Sequence, residues 1–141
     1  MTEEQDNQVQ QEINKAINFL GQNKFLEAEN TCLKIIDTGD NADAYHILSS
    51  IKIYQQEFED SIKYVKKSIA INDGNPGYHV TLGCAYSAKE DYESSIIAFK
   101  SAIKINNKIA QVHFYLGESY RKLKKYNCLL YTSDAADDGL C

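Results

Sequence analysis

Three histidines, at 46, 79 and 113, and four cysteines, at 32, 84, 128 and 141, are the side chains in this sequence suited to metal binding or nucleophilic chemistry. The histidines stand 33 and 34 residues apart. A zinc site would enlist Cys84 or Glu118 beside them. Yet no two candidates share an i, i+4 or C-x-x-C spacing, and tetrahedral zinc needs four convergent groups. A reactive cysteine needs a neighbouring base or a positive field, and the sequence indicates none for Cys32 or Cys84. The phosphate-loop, dinucleotide and zinc-protease signatures G-x-x-x-x-G-K-[ST], G-x-G-x-x-G and H-E-x-x-H do not occur. The run Arg121-Lys122-Leu123-Lys124-Lys125 reads as the solvated last turn of a helix, where cations complement the dipole, rather than as a phosphate or membrane grip. No catalytic residue, metal or cofactor is expected.

The elements that carry these residues follow from composition. The chain has 141 residues, 15 Lys and Arg against 20 Asp and Glu, one Pro and seven Gly. The length suits one ordinary domain. The acidic balance argues against a nucleic-acid partner, which calls for clustered cations. No stretch reaches the roughly 18 apolar residues of a membrane span. The amide-rich start, MTEEQDNQVQQ, has no apolar region of a secretory signal, so a cytoplasmic location is expected. Scarce Pro and Gly favour helices over a β-rich chain.

Self-comparison supplies the period. Leu48, Leu82 and Leu116 are each 34 residues apart, as are Phe58, Tyr92 and Tyr126; Phe25 lies 33 before Phe58. With Ala42, Pro76 and Ala110 as first residues, the eighth position holds Ala16, Ser49, Gly83 and Gly117, and the twentieth Ala28, Ser61 and Ser95. Small residues there let two helices approach closely. Leu82, Ala85 and Tyr86, and Ile96, Phe99 and Ile103, follow helical spacing. Asn72-Asp73-Gly74-Asn75 and Asn106-Asn107 mark turns, and Pro76 suits a first helical turn. The pattern predicts helices near 9–22, 25–37, 42–55, 58–71, 76–89, 92–105 and 110–124.

This 34-residue period, with L-G-x-x-Y (Leu82, Gly83, Tyr86), an aromatic opening the second helix and F-x-x-A (Phe99 to Ala102), resembles the tetratricopeptide repeat. The resemblance implies an all-α, right-handed solenoid of antiparallel helix pairs. It divides the chain into a polar leader (1–8), repeats at 9–41, 42–75 and 76–109, and a partial repeat at 110–127. Ser49 and Lys52 depart from the usual Gly and Tyr. From 128 the pattern fails: Leu129, Ser133, Asp137 and Gly139 stand where the other repeats have small or apolar residues. CLLYTSDAADD (128–138) also resembles the translated read-through of a sequencing adapter. The expectation is a non-native tail at 128–141 on a fragment of a longer protein.

The resemblance implies a concave groove lined by first helices, chiefly at their second, fifth, ninth and twelfth positions. These are Asp43, His46, Ser50 and Ile53; Gly77, Val80, Cys84 and Ser87; and Gln111, Phe114, Glu118 and Arg121. Their mixture of apolar, hydroxyl and sparse charged groups suits a protein or peptide segment. Ile13, Ile17, Ile47, Gly77 and Thr81 occupy the places of the family's carboxylate-clamp residues, so that mode is not supported. Two readings follow: a non-catalytic interaction scaffold, or the substrate-recruiting N-terminal arm of a larger enzyme of glycosyltransferase or sulfotransferase type. The interrupted fourth repeat would expose apolar surface and favour weak self-association at the C-terminal end.

Overall fold

In a computed structural model of the protein, which describes residues 2–130, helices follow one another and, among the described residues, no strand occurs. They are α1 (Glu3–Gly21), α2 (Phe25–Thr38), α3 (Ala42–Tyr54), α4 (Phe58–Ile71), α5 (Pro76–Ala88), α6 (Tyr92–Ile105) and α7 (Ala110–Leu130). Each of α1, α3 and α5 packs on the helix that follows it, and α2, α4 and α6 pack in turn on the next pair. The result is a helical solenoid whose pairs bury their apolar faces against neighbours.

The turns inside the pairs share one conformation. Asn23, Gln56 and Glu90 adopt left-handed backbone at φ 60°, 61° and 65°. The Gln56 N–H donates to the Ile53 carbonyl at 3.0 Å and the Glu57 N–H to the Lys52 carbonyl at 2.8 Å. Glu90 and Asp91 repeat this onto Ser87 and Tyr86, both at 2.9 Å. The paired bonds satisfy carbonyls that a helix end otherwise leaves bare, although glycine is the usual residue there. Between pairs, Asn41 and Asn75 cap the next helix, accepting from the N–H groups of Ala44 and Gly77 at 2.9 Å each. The link α2–α3 spans residues 39–41 and the later links 72–75 and 106–109. The residue missing from the first period is therefore lost there.

The seam inside each pair shows complementary volumes. Ala16 faces the helix carrying Cys32, Ser49 that carrying Val65, and Gly83 that carrying Phe99; all six are buried. The largest second-helix side chain, Phe99, faces the first helix with the smallest residue, Gly83. Ser49, at the usual glycine position, is accommodated by donating to the Ser61 carbonyl at 2.8 Å, its hydroxyl 2.9 Å from that of Ser61. Buried hydroxyls need such partners. Ser95 likewise donates to Ser119 at 3.0 Å, tying α6 to α7.

Two helix ends differ from the sequence reading. α1 begins at Glu3, not near residue 9, because Thr2 and Gln5 form a capping box: the Thr2 hydroxyl accepts from the Gln5 N–H at 3.3 Å, and the Gln5 amide oxygen from the Thr2 N–H at 3.1 Å. Those first turns are exposed, so apolar periodicity carries no trace of them. α7 continues through Lys124, the position equivalent to Gln56 and Glu90, and reaches Leu130. Of the segment expected to be a non-native tail, 128–130 extend this helix and 131–141 lie outside the described residues.

The seam makes a paired prediction. A Cβ on Gly83 would lie 2.5–2.8 Å from ring atoms of Phe99, whereas one on Gly117 would meet nothing within 4 Å. Gly83→Ala should cost about 1–3 kcal/mol by overpacking. Gly117→Ala should be neutral or stabilise by up to about 1 kcal/mol through helix propensity. Thermal and urea unfolding of both variants checks the contrast, and equal effects would contradict the seam.

Candidate partner-binding face

The first helices touch along one side of the solenoid. α1 packs on α3 and α3 on α5, while the second helices do not pack on one another to a comparable extent. The side formed by α1, α3 and α5, with α7 following, carries the expected groove positions.

The structure brings some of these residues together as a joint between repeats. The Tyr78 hydroxyl donates to the Asp43 carboxylate at 2.7 Å, and His46 Nε2 lies 2.8 Å from the Thr81 hydroxyl. The His46 ring meets the Tyr78 ring edge-on, centroids 4.9 Å apart. Burial holds the His46 imidazole below its usual pKa, partly opposed by the Asp43 charge. Burial, aided by the Asp43 hydrogen bond, pushes the Tyr78 phenol up to about 12. His46 is thus engaged between α3 and α5. Ser50 donates back to the His46 carbonyl at 3.2 Å, and Ile53 is half-buried. Val80 and Cys84 pack partly buried against the cluster of Phe99, Ala102 and Val112, and Ser87 is half-buried nearby on α5.

On α7 the expected residues stand clear. Phe114 is 65% exposed, its ring 6.1 Å from that of Tyr115, which in turn lies 5.7 Å from Phe99. Gln111 donates to the Tyr115 hydroxyl at 2.6 Å. Arg121 donates to both Glu118 oxygens, at 3.1 and 2.8 Å. That hydrogen-bonded cation holds the Glu118 carboxyl below the usual range. An exposed aromatic beside a fixed, opposite-charge pair is a surface able to hold an apolar side chain and orient a polar neighbour.

The histidines do not act alike. His79 Nε2 donates to the Asp73 carbonyl at 3.0 Å and His113 Nε2 to the Asn107 carbonyl at 2.8 Å, each securing the loop before its own helix. Their true equivalent is Tyr45, which donates to the Asp40 carboxylate at 2.7 Å. The spacing of 33 that links His46 to His79 in the sequence joins different faces. Among the described residues no three His, Cys, Asp or Glu side chains are grouped to hold a metal ion, and no helix is long and apolar enough to cross a membrane. Burial raises the Cys32 thiol to about 12 and also raises Cys84, so both stay protonated near neutral pH.

The sequence matches the family model described as tetratricopeptide repeat at residues 42–75 and 76–109. The chain carries tetratricopeptide repeats. Solved structures of the same fold include a mutant Thermobaculum terrenum O-GlcNAc transferase, with TM-score 0.80, 19% identity, 84% of this chain covered and 23% of that one. The Sgt2 TPR domain of Aspergillus fumigatus aligns with TM-score 0.79 at 11% identity, over 85% of this chain and 82% of that domain. The first TPR of Spaghetti (RPAP3), bound to an HSP90 peptide, aligns with TM-score 0.77 at 16% identity, over 82% of this chain and 92% of that one. No curated protein matches the chain. The chain spans under a quarter of the transferase.

Within the tetratricopeptide pattern, Lys52 replaces the usual tyrosine and changes the local chemistry. Tyr86 and Tyr120 each carry a lysine of the preceding repeat over the ring, Lys66 at 5.8 Å and Lys100 at 5.5 Å. Lys52 instead pairs with Glu29 and Glu57, both at 3.1 Å. Sequence reasoning missed this pair and the Asp43–Tyr78 bond, because both join residues of different repeats or elements with no fixed spacing signature.

The His46 joint predicts a pH dependence. A buried imidazole with a lowered pKa is held neutral, so its contribution is present above the unfolded value near 6.5 and is lost as pH falls through the lower folded value. The melting midpoint should therefore fall as pH drops below about 6.5. His46→Gln should flatten that part of the profile, as followed by thermal unfolding between about pH 4.5 and 8.

Proposed function

We propose that the protein is a non-catalytic interaction module that takes a protein or peptide segment along its concave face. Tetratricopeptide domains are generally non-catalytic, and the exposed Phe114 beside the Glu118–Arg121 pair is the observation that carries this reading. Phe114 supplies the apolar centre, and Glu118 and Arg121 set polarity and selectivity. Ser50, Ile53, Val80, Cys84, Ser87 and Gln111 complete the lining, with His46 shaping the wall from within. The partner is a protein rather than a nucleic acid or a membrane, and the module works in the cytoplasm. The exposed Tyr120, Tyr126 and Leu129 on α7 make weak self-association at that end part of the same reading.

The 23% span of the transferase match favours a second reading: repeats of this kind as the substrate-recruiting arm of a longer enzyme. Reading the source DNA past Asn127 separates the two. Further repeats and a stop codon support the scaffold, and an appended α/β domain supports the arm.

For the groove itself, peptides selected from a random display library against the full chain are the probe. Phe114→Ala should weaken a selected peptide by about tenfold, or roughly 1–2 kcal/mol, without changing the melting midpoint. Glu118→Lys should change selectivity among peptides. Undiminished binding to both variants would move the site off the concave face.

A further inference from the structure

On the side opposite the groove, where the second helices diverge, a cleft of about 410 Å³ opens between α4, α5 and α6. Ile69, Leu82, Tyr86 and Ala98 line it with apolar surface, and Lys66 and Ile97 also border it. Its volume lies in the range of small ligand sites. The same place one repeat earlier is filled. Tyr64 stands 34 residues before Ala98, Tyr45 before His79 and Lys67 before Ser101. Tyr64 packs against the first core cluster and stacks on Tyr45 with centroids 6.2 Å apart, and Lys67 lies over the Tyr45 ring at 5.3 Å. The third repeat replaces Tyr64 by Ala98 and Lys67 by Ser101, and puts the smaller ring of His79, which borders the cleft, in the place of Tyr45. It also places Ile97, 67% exposed, where the second repeat has Lys63.

We infer that this cleft is a socket for an aromatic side chain, tyrosine or phenylalanine, borne on an acidic segment of a partner protein. The preceding repeat shows which shape such a place accepts, since Tyr64 fills its counterpart. The exposed Ile97 offers the incoming ring an apolar wall whose burial is favourable. Charge selects the flanking residues. Lys66 is the one Lys or Arg side chain at the cleft, no carboxylate borders it, and Lys66 has no ion-pair partner among the described residues. Its ammonium lies over the Tyr86 ring at 5.8 Å. A second ring beside it would give the two-ring and lysine arrangement that Tyr45, Tyr64 and Lys67 form within the chain, and a flanking carboxylate would pair with the free ammonium. This surface is separate from the concave face and does not depend on Phe114.

The test uses the full chain, labelled with ¹⁵N, and two probes: acetyl-Glu-Tyr-Glu-amide and acetyl-Glu-Ala-Glu-amide. The tyrosine peptide should shift the amides of Leu82, Tyr86, Ile97 and Ala98 in a saturable way, and the alanine peptide should bind about tenfold more weakly or less. Ala98→Tyr, which copies Tyr64, should fold and abolish the shifts. Lys66→Glu and Ile97→Glu, at exposed positions, should each weaken binding several-fold and keep the test alive should Ala98→Tyr fail to fold. Phe114→Ala should leave these shifts unchanged. Equal binding of both peptides, retained binding by a folded Ala98→Tyr variant, or shifts confined to α3, α5 and α7 would overturn the proposal. So would cleft shifts that grow with protein concentration alone, which would assign the place to a second copy of this chain.

Discussion

The close approach of the two helices within each pair is the constraint on which everything else rests. At Gly83 the ring of Phe99 lies so near the backbone that no side chain fits between them. This contact sets the distance between α5 and α6, and the equivalent Ala16–Cys32 and Ser49–Val65 seams set it in the other pairs. With the distance fixed, the Schellman-type turns at Asn23, Gln56 and Glu90 fix the direction of return. The stacking of pairs then follows from the apolar faces left over. Neither the groove nor the outer cleft has a separate scaffold: both are spaces that the stack leaves.

Much of this was legible in the residues. The period of Leu48, Leu82 and Leu116, and the small residues at the eighth and twentieth positions, gave the helix pairs and their order. The ends were harder. Exposed turns such as the start of α1 leave no apolar signature, and left-handed turns built on Asn, Gln and Glu lack the glycine that would have flagged them. The passage of α7 through Lys124 reads the same way: lysine is a good helix former, and nothing there calls for a stop.

The face was only partly legible. Position within a repeat puts Phe114, Glu118 and Arg121 on one helix, α7, where Phe114 and Arg121 are exposed and Glu118 is half-buried. The pairing of His46 with Thr81 and of Asp43 with Tyr78 was not legible, because it depends on how one repeat is rotated against the next. That angle is a property of packing and has no spacing in the chain. The near coincidence of 33 and 34 also drew His46 into a set to which Tyr45 belongs. The outer cleft had a signal that comparing repeats position by position reveals, in the replacement of Tyr64 by Ala98.

The joint between the second and third repeats has a mechanical consequence. Hydrogen bonds are directional, so the bonds Tyr78–Asp43 and His46–Thr81 resist both twisting and sliding of α5 against α3. At the neighbouring junctions the corresponding places hold Ile13 and Ile47, and Val80 and Tyr115, whose contacts are apolar and tolerate small displacements. Along the inner face the second and third repeats are therefore held in register by directional bonds, whereas their neighbours are fixed instead by links further out, Lys52 to Glu29 and Ser95 to Ser119.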